Sequence, residues 1–387
     1  MSFNQKDPER NAFMLTGDFA QNGYDWWWHS FTAHDAQTGE ARAFFIEFYT
    51  INPALGGAAP VLGQDPAIRA AGKKPSYLMI KAGAWGDDAG HSPIQLHRFF
   101  AWDDVLIADG APYFVDADDC YASDVALRGS VNVTPEDAAD PAHMCNTGSM
   151  SWNLTLDKEV AFNVGYGASK PMRDTEAFDM YWHAEGMRTR YSGTVTLDGC
   201  EYVVDPQTSY GYADKNWGDD FTSPWVWLAS SNLTSRLTGK KLTDTCFDIG
   251  GGCPKVFHRA LPRQLLSALW HEGVPYEFNF SKPWTHCRTS FWARETEDEL
   301  IWHVEQSVLG ARMVTDASCK KSHMLLVNYE APDGSRHHNR LWNGGDGTAR
   351  VQLFSLEHGN EILIDDMDAA NLGCEYGEYD AAGPYGM

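Results

Sequence analysis

The chain is dominated by short segments in which β-branched and aromatic residues alternate with polar ones. Segments of this kind, bounded by Gly, Asn, Asp or Pro, are typical of β-strands. We predict strands over 41–49, 75–85, 148–156, 191–205, 224–233, 299–310 and 322–330. Dipeptides that favour tight turns predict hairpins at Thr38-Gly39, Asp198-Gly199, Asp333-Gly334 and Asp346-Gly347.

One segment, 260–273, has helical periodicity instead. Its leucines recur at helical spacing: Leu261, Leu265, Leu266 and Leu269. Gly273 can end such a helix, and the acidic segment 110–145 predicts loops or a short helix. The pattern as a whole predicts an all-β protein, predominantly antiparallel.

Two stretches, about 200 residues apart, repeat the same order of features. Residues 25–49 give an aromatic strand, a Thr-Gly turn and a returning apolar strand, and residues 224–252 give the same order. This repetition indicates two halves, although any two hairpins resemble each other in this way. We therefore predict an N-terminal β domain over 1–208 and a C-terminal β domain over 209–387.

Composition narrows the possible partners and the location. The chain carries 53 acidic and 30 basic residues and a net charge of −23, which predicts no binding to nucleic acid. It has no run of about 18 apolar residues and no apolar stretch after its N-terminal charges, so we expect no transmembrane helix and no secretory signal. Its eight cysteines form no CxxC pair and predict reduced, mostly buried thiols of a cytoplasmic protein.

Strand parity assigns the candidate site residues to faces, because side chains alternate along a strand. One face of an extended segment carries Tyr212, Asp214 and Asn216, and the opposite face carries Lys215 and Trp217. The same rule groups residues on other strands: Asp25 with Trp27 and His29, Phe45 with Glu47 and Tyr49, Trp225 with Trp227 and Ala229, and His183 with Tyr181, Glu185 and Met187. Titratable groups between aromatic neighbours are expected in a barrel with an apolar cavity that holds a few polar groups.

Each of these candidate residues can also have a purely structural role. Asp214 can accept backbone N–H groups in a turn. Lys215 can pair with Asp219 or Asp220 at a barrel rim. Glu47 is harder to explain structurally, because a carboxyl group in apolar surroundings is costly unless it is paired or neutral. The histidines and the Trp-rich runs are structural by default.

Several other chemistries lack their motifs. The sequence contains no GxSxG elbow, no GxGxxG after a strand, no P-loop and no HExxH. Gly250, Gly251 and Gly252 precede Cys253 and Pro254 instead of a helix start, so they make a poor phosphate site. A glycosidase with two catalytic carboxylates is only weakly supported. The adjacent pair Asp219 and Asp220 would point in different directions on a strand, so the two could not act together on one sugar bond.

The stretch YADKNWG (212–218), followed by FTSPWVW (221–227), resembles the signature segment of the tocopherol cyclase family. Further stretches resemble that family in the same order: DWWWHSF (25–31) with FFIEFYTINP (44–53), then 182–206, then 322–335. The similarity covers most of the 387 residues, and only 212–227 is specific.

The resemblance implies two lipocalin-like antiparallel β-barrels or sandwiches in tandem, with few short helices. Carotenoid 1,2-hydratase-like and Diels–Alderase-like proteins share that architecture. The resemblance also implies an enzyme without cofactor or metal, which protonates a C=C bond of a hydrophobic substrate such as a prenylated phenol in an aromatic-lined cavity. The chain has no plastid transit segment, which favours a bacterial relative.

Other functions on this fold stay open at this point. One is hydration of an apolar alkene, and another is non-catalytic carriage of a hydrophobic ligand. A third is carbohydrate binding on exposed tryptophans. The oligomeric state is left open.

The signature match and strand parity together make Asp214 the expected proton donor, supported by Tyr212 and Asn216. Lys215 is expected to be its electrostatic partner, and Glu47 and His183 complete the predicted catalytic group on facing strands. The predicted substrate-binding residues are Asp25, Trp27, His29, Asn216, Trp217, Trp225 and Trp227.

Overall fold

Most of the chain lies in two large antiparallel sheets of 12 strands each. The computed structural model describes residues 7–163, 170–327, 329–334, 341–357 and 360–377. Positions 328 and 335 of the 322–335 stretch lie outside the described residues. The predicted all-β class, with two tandem β units and few short helices, is confirmed.

The first sheet contains β1 (Tyr24–Asp35), β2 (Ala41–Ile51), β3 (Tyr77–Ala84), β4 (Ile94–Phe100), β5 (Leu106–Ile107), β6 (Phe114–Ala117), β7 (Cys120–Ser123), β8 (Ala126–Val133), β9 (Gly148–Phe162), β10 (Met180–Leu197), β11 (Cys200–Val204) and β12 (Gly211–Gly218). The second contains β13 (Trp225–Ser230), β14 (Asn232–Ser235), β15 (Lys241–Leu242), β16 (Thr245–Gly252), β19 (Gln264–His271), β20 (Val274–Asn279), β21 (Arg288–Glu295), β22 (Glu299–Ser307), β23 (Ala311–Lys320), β24 (Leu325–Val327), β25 (Leu341–Glu357) and β26 (Asn360–Gly377).

The remaining elements are short. A two-stranded ribbon is formed by β17 (Lys255–Val256) and β18 (Arg259–Ala260). The helices are α1 (Pro8–Asn11), α2 (Pro66–Ala70), α3 (Pro135–Ala139) and α4 (Lys170–Asp174), with 3₁₀ turns at Gly17–Ala20, Pro53–Leu55, Trp102–Asp104, Pro283–Thr285 and Lys321–His323. None of these described helices is long and apolar enough to cross a membrane.

The first sheet curls around its own packed interior. Its order is β4-β3-β2-β1-β11-β10-β9-β8-β7-β6-β5, and β12 pairs with β1 and β10. Edge strand β4 approaches β8, where Arg98 Nη1 donates a hydrogen bond to Ser130 O over 3.0 Å. The interior is filled with apolar side chains, among them Trp27, Phe44 and Leu78. Side chains therefore fill this barrel, whereas the sequence pattern predicted an apolar cavity inside it.

The second sheet has the order β20-β19-β16-β13-β26-β25-β23-β22-β21 and a separate core that includes Phe247 and Trp302. Gln306 Nε2 on β22 donates to Leu265 O on β19 over 3.0 Å, so this sheet also curls round. Strand β12 belongs to the first sheet, and the chain enters the second at β13. The division at residue 208 stays a prediction.

A third apolar cluster lies between the two sheets. It is rich in aromatic side chains from both, including Tyr49, Trp182, Tyr212, Trp225 and Trp227. Outward-facing residues of β1, β2, β10 and β12 meet residues of β13 and β16 there. Because both faces of these strands are covered, a polar group on either face is buried.

The predicted helix over 260–273 is wrong, because β19 occupies most of it and pairs with β16 and β20. Leu265 and Leu269 enter the second core, while Leu266 faces the inter-sheet cluster. A strand that is buried on both faces thus produces the same apolar positions as an amphipathic helix.

Three of the four predicted turns form where expected, and one does not. Gly39, Gly199 and Gly334 adopt positive φ values in turns, with φ of 76°, 83° and 72°. Asp346-Gly347 instead lies inside β25, at an irregularity in its pairing with β26. An Asp-Gly pair supports a bulge as well as a turn.

Candidate functional site

The candidate residues divide between two buried places on opposite faces of the first sheet. Tyr212, Asp214 and Asn216 face the space between the sheets, and Lys215 and Trp217 face the opposite way, as parity predicted. We call the first place the inter-sheet site; it also contains Glu47, Trp225 and Trp227. We call the second place the inner ion-pair cluster; it also contains Asp25, Trp27, His29 and His183.

Asp214 is held by three donors in the inter-sheet site. Its Oδ2 atom accepts hydrogen bonds from Trp182 Nε1 over 3.0 Å and from the Tyr212 hydroxyl over 3.2 Å, and its Oδ1 accepts from Trp26 Nε1 over 3.4 Å. Burial raises the pKa of Asp214 to about 8, although these donors favour the charged form. This shift favours the protonated form at neutral pH.

The Tyr212 hydroxyl bridges two carboxyl groups. It lies 3.2 Å from Asp214 Oδ2 and 3.0 Å from Asp248 Oδ2. A phenol carries one hydrogen and can donate it to only one of them. The other contact is a hydrogen bond only if that carboxyl donates its own proton to the phenol oxygen. Burial, reinforced by the charge of Asp214, raises the pKa of Asp248 well above its ordinary value. Both contacts are hydrogen bonds when one of the two carboxyl groups is protonated and donates to the phenol oxygen.

Glu375 on β26 is a second carboxyl group of the inter-sheet site. Its Oε1 accepts from Asn343 Nδ2 over 2.5 Å and its Oε2 from Trp225 Nε1 over 2.6 Å. Trp85 Nε1 donates to Asn343 Oδ1 over 2.7 Å, which points the amide nitrogen of Asn343 at Glu375. Burial raises the pKa of Glu375 to about 7.

Glu47 is neutralised by a lysine. Lys81 Nζ lies 3.1 Å from Glu47 Oε2, and the Tyr329 hydroxyl donates to the same oxygen over 3.0 Å. The Lys81 ammonium also lies 3.3 Å from the Tyr329 ring centroid. Burial raises the pKa of Glu47 and lowers that of Lys81 to about 8. Glu47 is therefore the paired carboxylate that its apolar surroundings demand.

Space beside these groups is small and apolar. A cleft of about 60 Å³ is lined by Trp182, Trp225, Gly250 and other residues of both sheets. An adjoining cavity of about 20 Å³ shares Trp225 with the cleft and is also lined by Trp26 and Glu375. A Cβ atom on Gly250 would lie only 2.9 Å from Trp182 Cη2, so glycine at this position lets the indole reach Asp214.

The inner ion-pair cluster centres on Lys215, which pairs with Asp25 and not with Asp214. Asp25 Oδ2 also accepts the backbone N–H of Met14 over 2.8 Å. The Lys215 ammonium lies 4.1 Å from the Trp27 ring centroid and 5.4 Å from that of Trp217. Neither Asp219 nor Asp220 is its partner; Lys255 pairs with Asp220. This lysine is thus enclosed on the face opposite the cleft.

Two predicted histidines also lie on the inner face. His29 Nδ1 is 2.9 Å from the Tyr191 hydroxyl, which donates to Tyr212 O over 3.0 Å. His183 is opposite Lys215 in the β10–β12 pairing. Burial lowers the pKa of both histidines well below the ordinary value, so both are neutral. Neither histidine lines the cleft that contains Trp182 and Trp225.

Three residues of the inter-sheet site were missed by the sequence reasoning: Lys81, Asp248 and Glu375. Glu47 was singled out by the aromatic residues two positions away on its own face, Phe45 and Tyr49. The corresponding neighbours are Cys246 and Gly250 for Asp248, and Gly373 and Gly377 for Glu375. That signal is therefore absent at both acids.

These raised pKa values give an expected dependence of stability on pH. Unfolded Asp and Glu are ionised above about pH 5, so between pH 6.5 and 8 the folded protein holds more protons through Asp214 and Glu375. We expect the free energy of unfolding to fall as pH rises through this window, and to fall less steeply near pH 8, where Lys81 loses its proton in the folded protein but keeps it in the unfolded one. The neutral buried histidines have the opposite effect, but mainly below about pH 6.5.

Urea denaturation at pH 6.5 and pH 8 measures this difference. The Asp214→Asn variant lacks one raised group and should show a smaller fall than the wild type. Equal falls in the two proteins would show that Asp214 does not hold a proton in the folded state.

Comparisons with known proteins gave matches among solved structures alone, since no family model and no curated protein matches the chain. Kievitone hydratase from Nectria haematococca has 11% identity and a TM-score of 0.48, covering 98% of this chain and 97% of the other. CghA with Sch210972 has 13% identity and a TM-score of 0.45, covering 93% and 90%. NE1406 from Nitrosomonas europaea, a candidate AttH, has 12% identity and a TM-score of 0.42, covering 95% and 97%. None of these similarities assigns a substrate or a reaction to this chain.

Proposed function

We propose that the chain is a cofactor-independent acid/base cyclase or isomerase, similar to tocopherol cyclases, that acts on a hydrophobic unsaturated substrate such as a prenylated phenol. One observation carries the proposal: Asp214 is a buried carboxyl group held by Trp182, which lines the apolar cleft, and by Trp26, which lines the adjoining cavity, and burial raises its pKa to about 8. The resemblance of residues 212–227 to the tocopherol cyclase signature supports it.

Protonation of an alkene carbon needs an acid that is neutral and shielded from water, since water competes for the proton. Asp214 meets both conditions. The carbocation that forms would face the indole rings of Trp26, Trp182 and Trp225. A desolvated ring stabilises a cation by about 1–2 kcal/mol. A nearby hydroxyl oxygen of the substrate then closes the ring, so the product is an isomer of the substrate.

The Tyr212 bridge supports a repeated cycle. After Asp214 has given up its proton, the Tyr212 hydroxyl can donate to the new carboxylate more strongly than before. Asp248, on the far side of that hydroxyl, can supply a proton in turn. This relay passes the proton deficit from Asp214 to Asp248, and exchange with solvent after product release restores the proton.

The cleft must widen for such a substrate. Pockets for small organic ligands measure roughly 300–1,000 Å³, and the cleft has about 60 Å³. Met180 and Thr222 line both the cleft and the adjoining cavity, so their movement would join the two spaces. Substrate binding is thus expected to be coupled to side-chain rearrangement at these positions.

The perturbed carboxyl groups favour catalysis over carriage. A carrier of apolar ligands needs no titratable group with a shifted pKa in its cavity, whereas a proton-transfer enzyme needs at least one. The inter-sheet site contains Asp214 and Glu375, with pKa values of about 8 and 7. Carbohydrate binding on exposed rings is disfavoured at the inter-sheet site, because Trp225 and Trp227 are buried; the exposed Trp284 and Trp292 are not part of this site.

Incubation of the purified protein with 2-geranylhydroquinone in D₂O tests the proposal. We expect a cyclised product that is isomeric with the substrate and retains one deuterium on carbon after back-exchange, by mass spectrometry and NMR. A product heavier by one water would indicate a hydratase on the same site. Tight binding of unchanged compound without turnover, across several prenylated phenols, would contradict the proposal and indicate a carrier.

A further inference from the structure

We infer that Glu375 is a second catalytic group of the inter-sheet site, the base that takes the proton from a phenol hydroxyl of the substrate. This inference rests on the proposed function and deepens it, since it assigns the second proton transfer, from the phenol hydroxyl of the substrate, to a named residue.

Glu375 lies where a ligand can reach it. Glu375 lines the small cavity next to the cleft together with Trp26, Trp225 and Tyr329. Of the described residues that line this cavity, Glu375 alone carries a carboxyl group. Its side chain is partly accessible, so a ligand in the cavity can contact it directly.

Two tryptophans relate Glu375 to Asp214. Trp182 donates its N–H to Asp214, and Trp225 donates its N–H to Glu375. The two indole rings pack edge to face, with centroids 6.4 Å apart and planes at 86°, and both line the cleft. A substrate that lies against this pair of rings therefore has one carboxyl group near each indole nitrogen.

The hydrogen bonds of Glu375 suit a proton acceptor. Each of its oxygens already accepts an N–H, from Asn343 and from Trp225. Trp85 donates to the amide oxygen of Asn343 and so fixes the orientation of that amide. Turning the oxygen of Asn343 towards Glu375 would break this bond. Donors on both oxygens stabilise the carboxylate, which is the form that a base needs.

The reaction transfers one proton from Asp214 to the substrate and one proton from the substrate to Glu375, with no oxidation or reduction. The O–H bond of Asp214 breaks and a C–H bond forms at the alkene. The phenol oxygen forms a C–O bond to the resulting cation, its O–H bond breaks, and the proton passes to Glu375. The product is an isomer of the substrate. Asp214 is left charged and Glu375 neutral, and proton exchange with solvent after product release restores both.

This assignment has a consequence for the pH profile of kcat/KM. Glu375 is faced by Glu47 on β2, Lys81 on β3 and Asp214 on β12, as well as by Tyr329. Catalysis needs Glu375 without its proton, above its pKa of about 7, and Asp214 with its proton, below its pKa of about 8. The profile should be a narrow bell with its maximum between these two values.

The Glu375→Gln variant tests the inference with 2-geranylhydroquinone and a ring-fluorinated analogue whose phenol is more acidic. We expect kcat on the first compound to fall by about 10²-fold, and the acidic limb of the profile to disappear. The loss should be smaller with the fluorinated compound, because a more acidic phenol depends less on a base. Glu330→Gln is the matched control. Glu330 is also buried, but it bonds Tyr77 and Gly63 outside the cavity, and kcat should be retained.

Two results would overturn the assignment. One is wild-type kcat in Glu375→Gln with the acidic limb in place. The other is an equal loss with both phenols and an unmoved acidic limb, which is the result expected of a merely structural residue. Inactivity of the wild-type protein toward both phenols would instead contradict the proposed function on which the assignment rests.

Discussion

The Asp214→Asn variant should lose about 10³–10⁴-fold in kcat on a prenylated phenol, the upper part of the range for general acid catalysis. The amide keeps the shape of the carboxyl group. An amide oxygen in the place of Oδ2 can still accept from Trp182 and Tyr212, and the amide nitrogen in the place of Oδ1 gives up only the longest of the three bonds, the 3.4 Å contact from Trp26. The amide cannot give a proton to carbon. Geometry is thus preserved while the chemistry is removed, so KM should change little.

Steady-state kinetics near pH 7.5 measure this loss, with near-UV circular dichroism to confirm the fold. Asp157→Asn, an exposed change on β9, is the matched control and should have wild-type kcat. An active Asp214→Asn variant would remove Asp214 from the mechanism. If Asp248→Asn were then inactive, the acid would be Asp248, acting across the Tyr212 bridge.

Strand parity was the most productive inference from the sequence. It separated Tyr212, Asp214 and Asn216 from Lys215 and Trp217 on one strand, and the structure shows that separation. Parity follows from the geometry of the extended chain and needs no tertiary information. It is reliable wherever the strand itself is correctly located.

Parity does not identify the residues that each face of a strand contacts in the folded protein. Lys215 was expected to act on Asp214, although parity already placed the two side chains on opposite faces. Glu47 and Lys81 are directly opposite each other on β2 and β3, but 25 residues separate those strands and leave their register undetermined by sequence. The ion pair therefore could not be predicted.

The position of the candidate cavity could not be predicted from the sequence either. Asp248 and Glu375 belong to the second sheet, and they reach Asp214 only through the packing of one sheet on the other. The interior of the first barrel is filled by Trp27 and its neighbours. The aromatic residues that could line a cavity are instead those on the outer face, between the sheets.

Because the barrel interior is filled and the candidate cavity lies between the sheets, the inner ion-pair cluster has a structural role. Lys215 and Asp25 are both fully buried, and Trp27 and Trp217 cover the ammonium group. Burial raises the pKa of Asp25 to about 6 and lowers that of Lys215, which shows that desolvation outweighs the partner in each case. Such a pair adds little net stability, but breaking it is costly, because the remaining charge is left unpaired.

Lys215→Met should therefore lower the free energy of unfolding by about 3–5 kcal/mol at pH 7. The Asp25 carboxylate would remain buried without its cation and could escape that state only by taking a proton. Protonation is easier at lower pH, so the loss of stability should be smaller at pH 5 than at pH 7. Urea denaturation followed by tryptophan fluorescence measures both values.

The double variant Asp25→Asn/Lys215→Met separates the unpaired charge from the loss of packing. The amide that replaces the Asp25 carboxyl group would not be charged, and its oxygen can still accept the Met14 N–H that Asp25 accepts in the wild type. We expect the double variant to be more stable than Lys215→Met alone, with no extra loss between pH 5 and pH 7. Lys240→Met, an exposed control, should stay within about 0.5 kcal/mol of the wild type. If the single and double variants were equally unstable at pH 7, the cost would come from the packing of Lys215 against Trp27 and Trp217, and the charge of Asp25 would not matter.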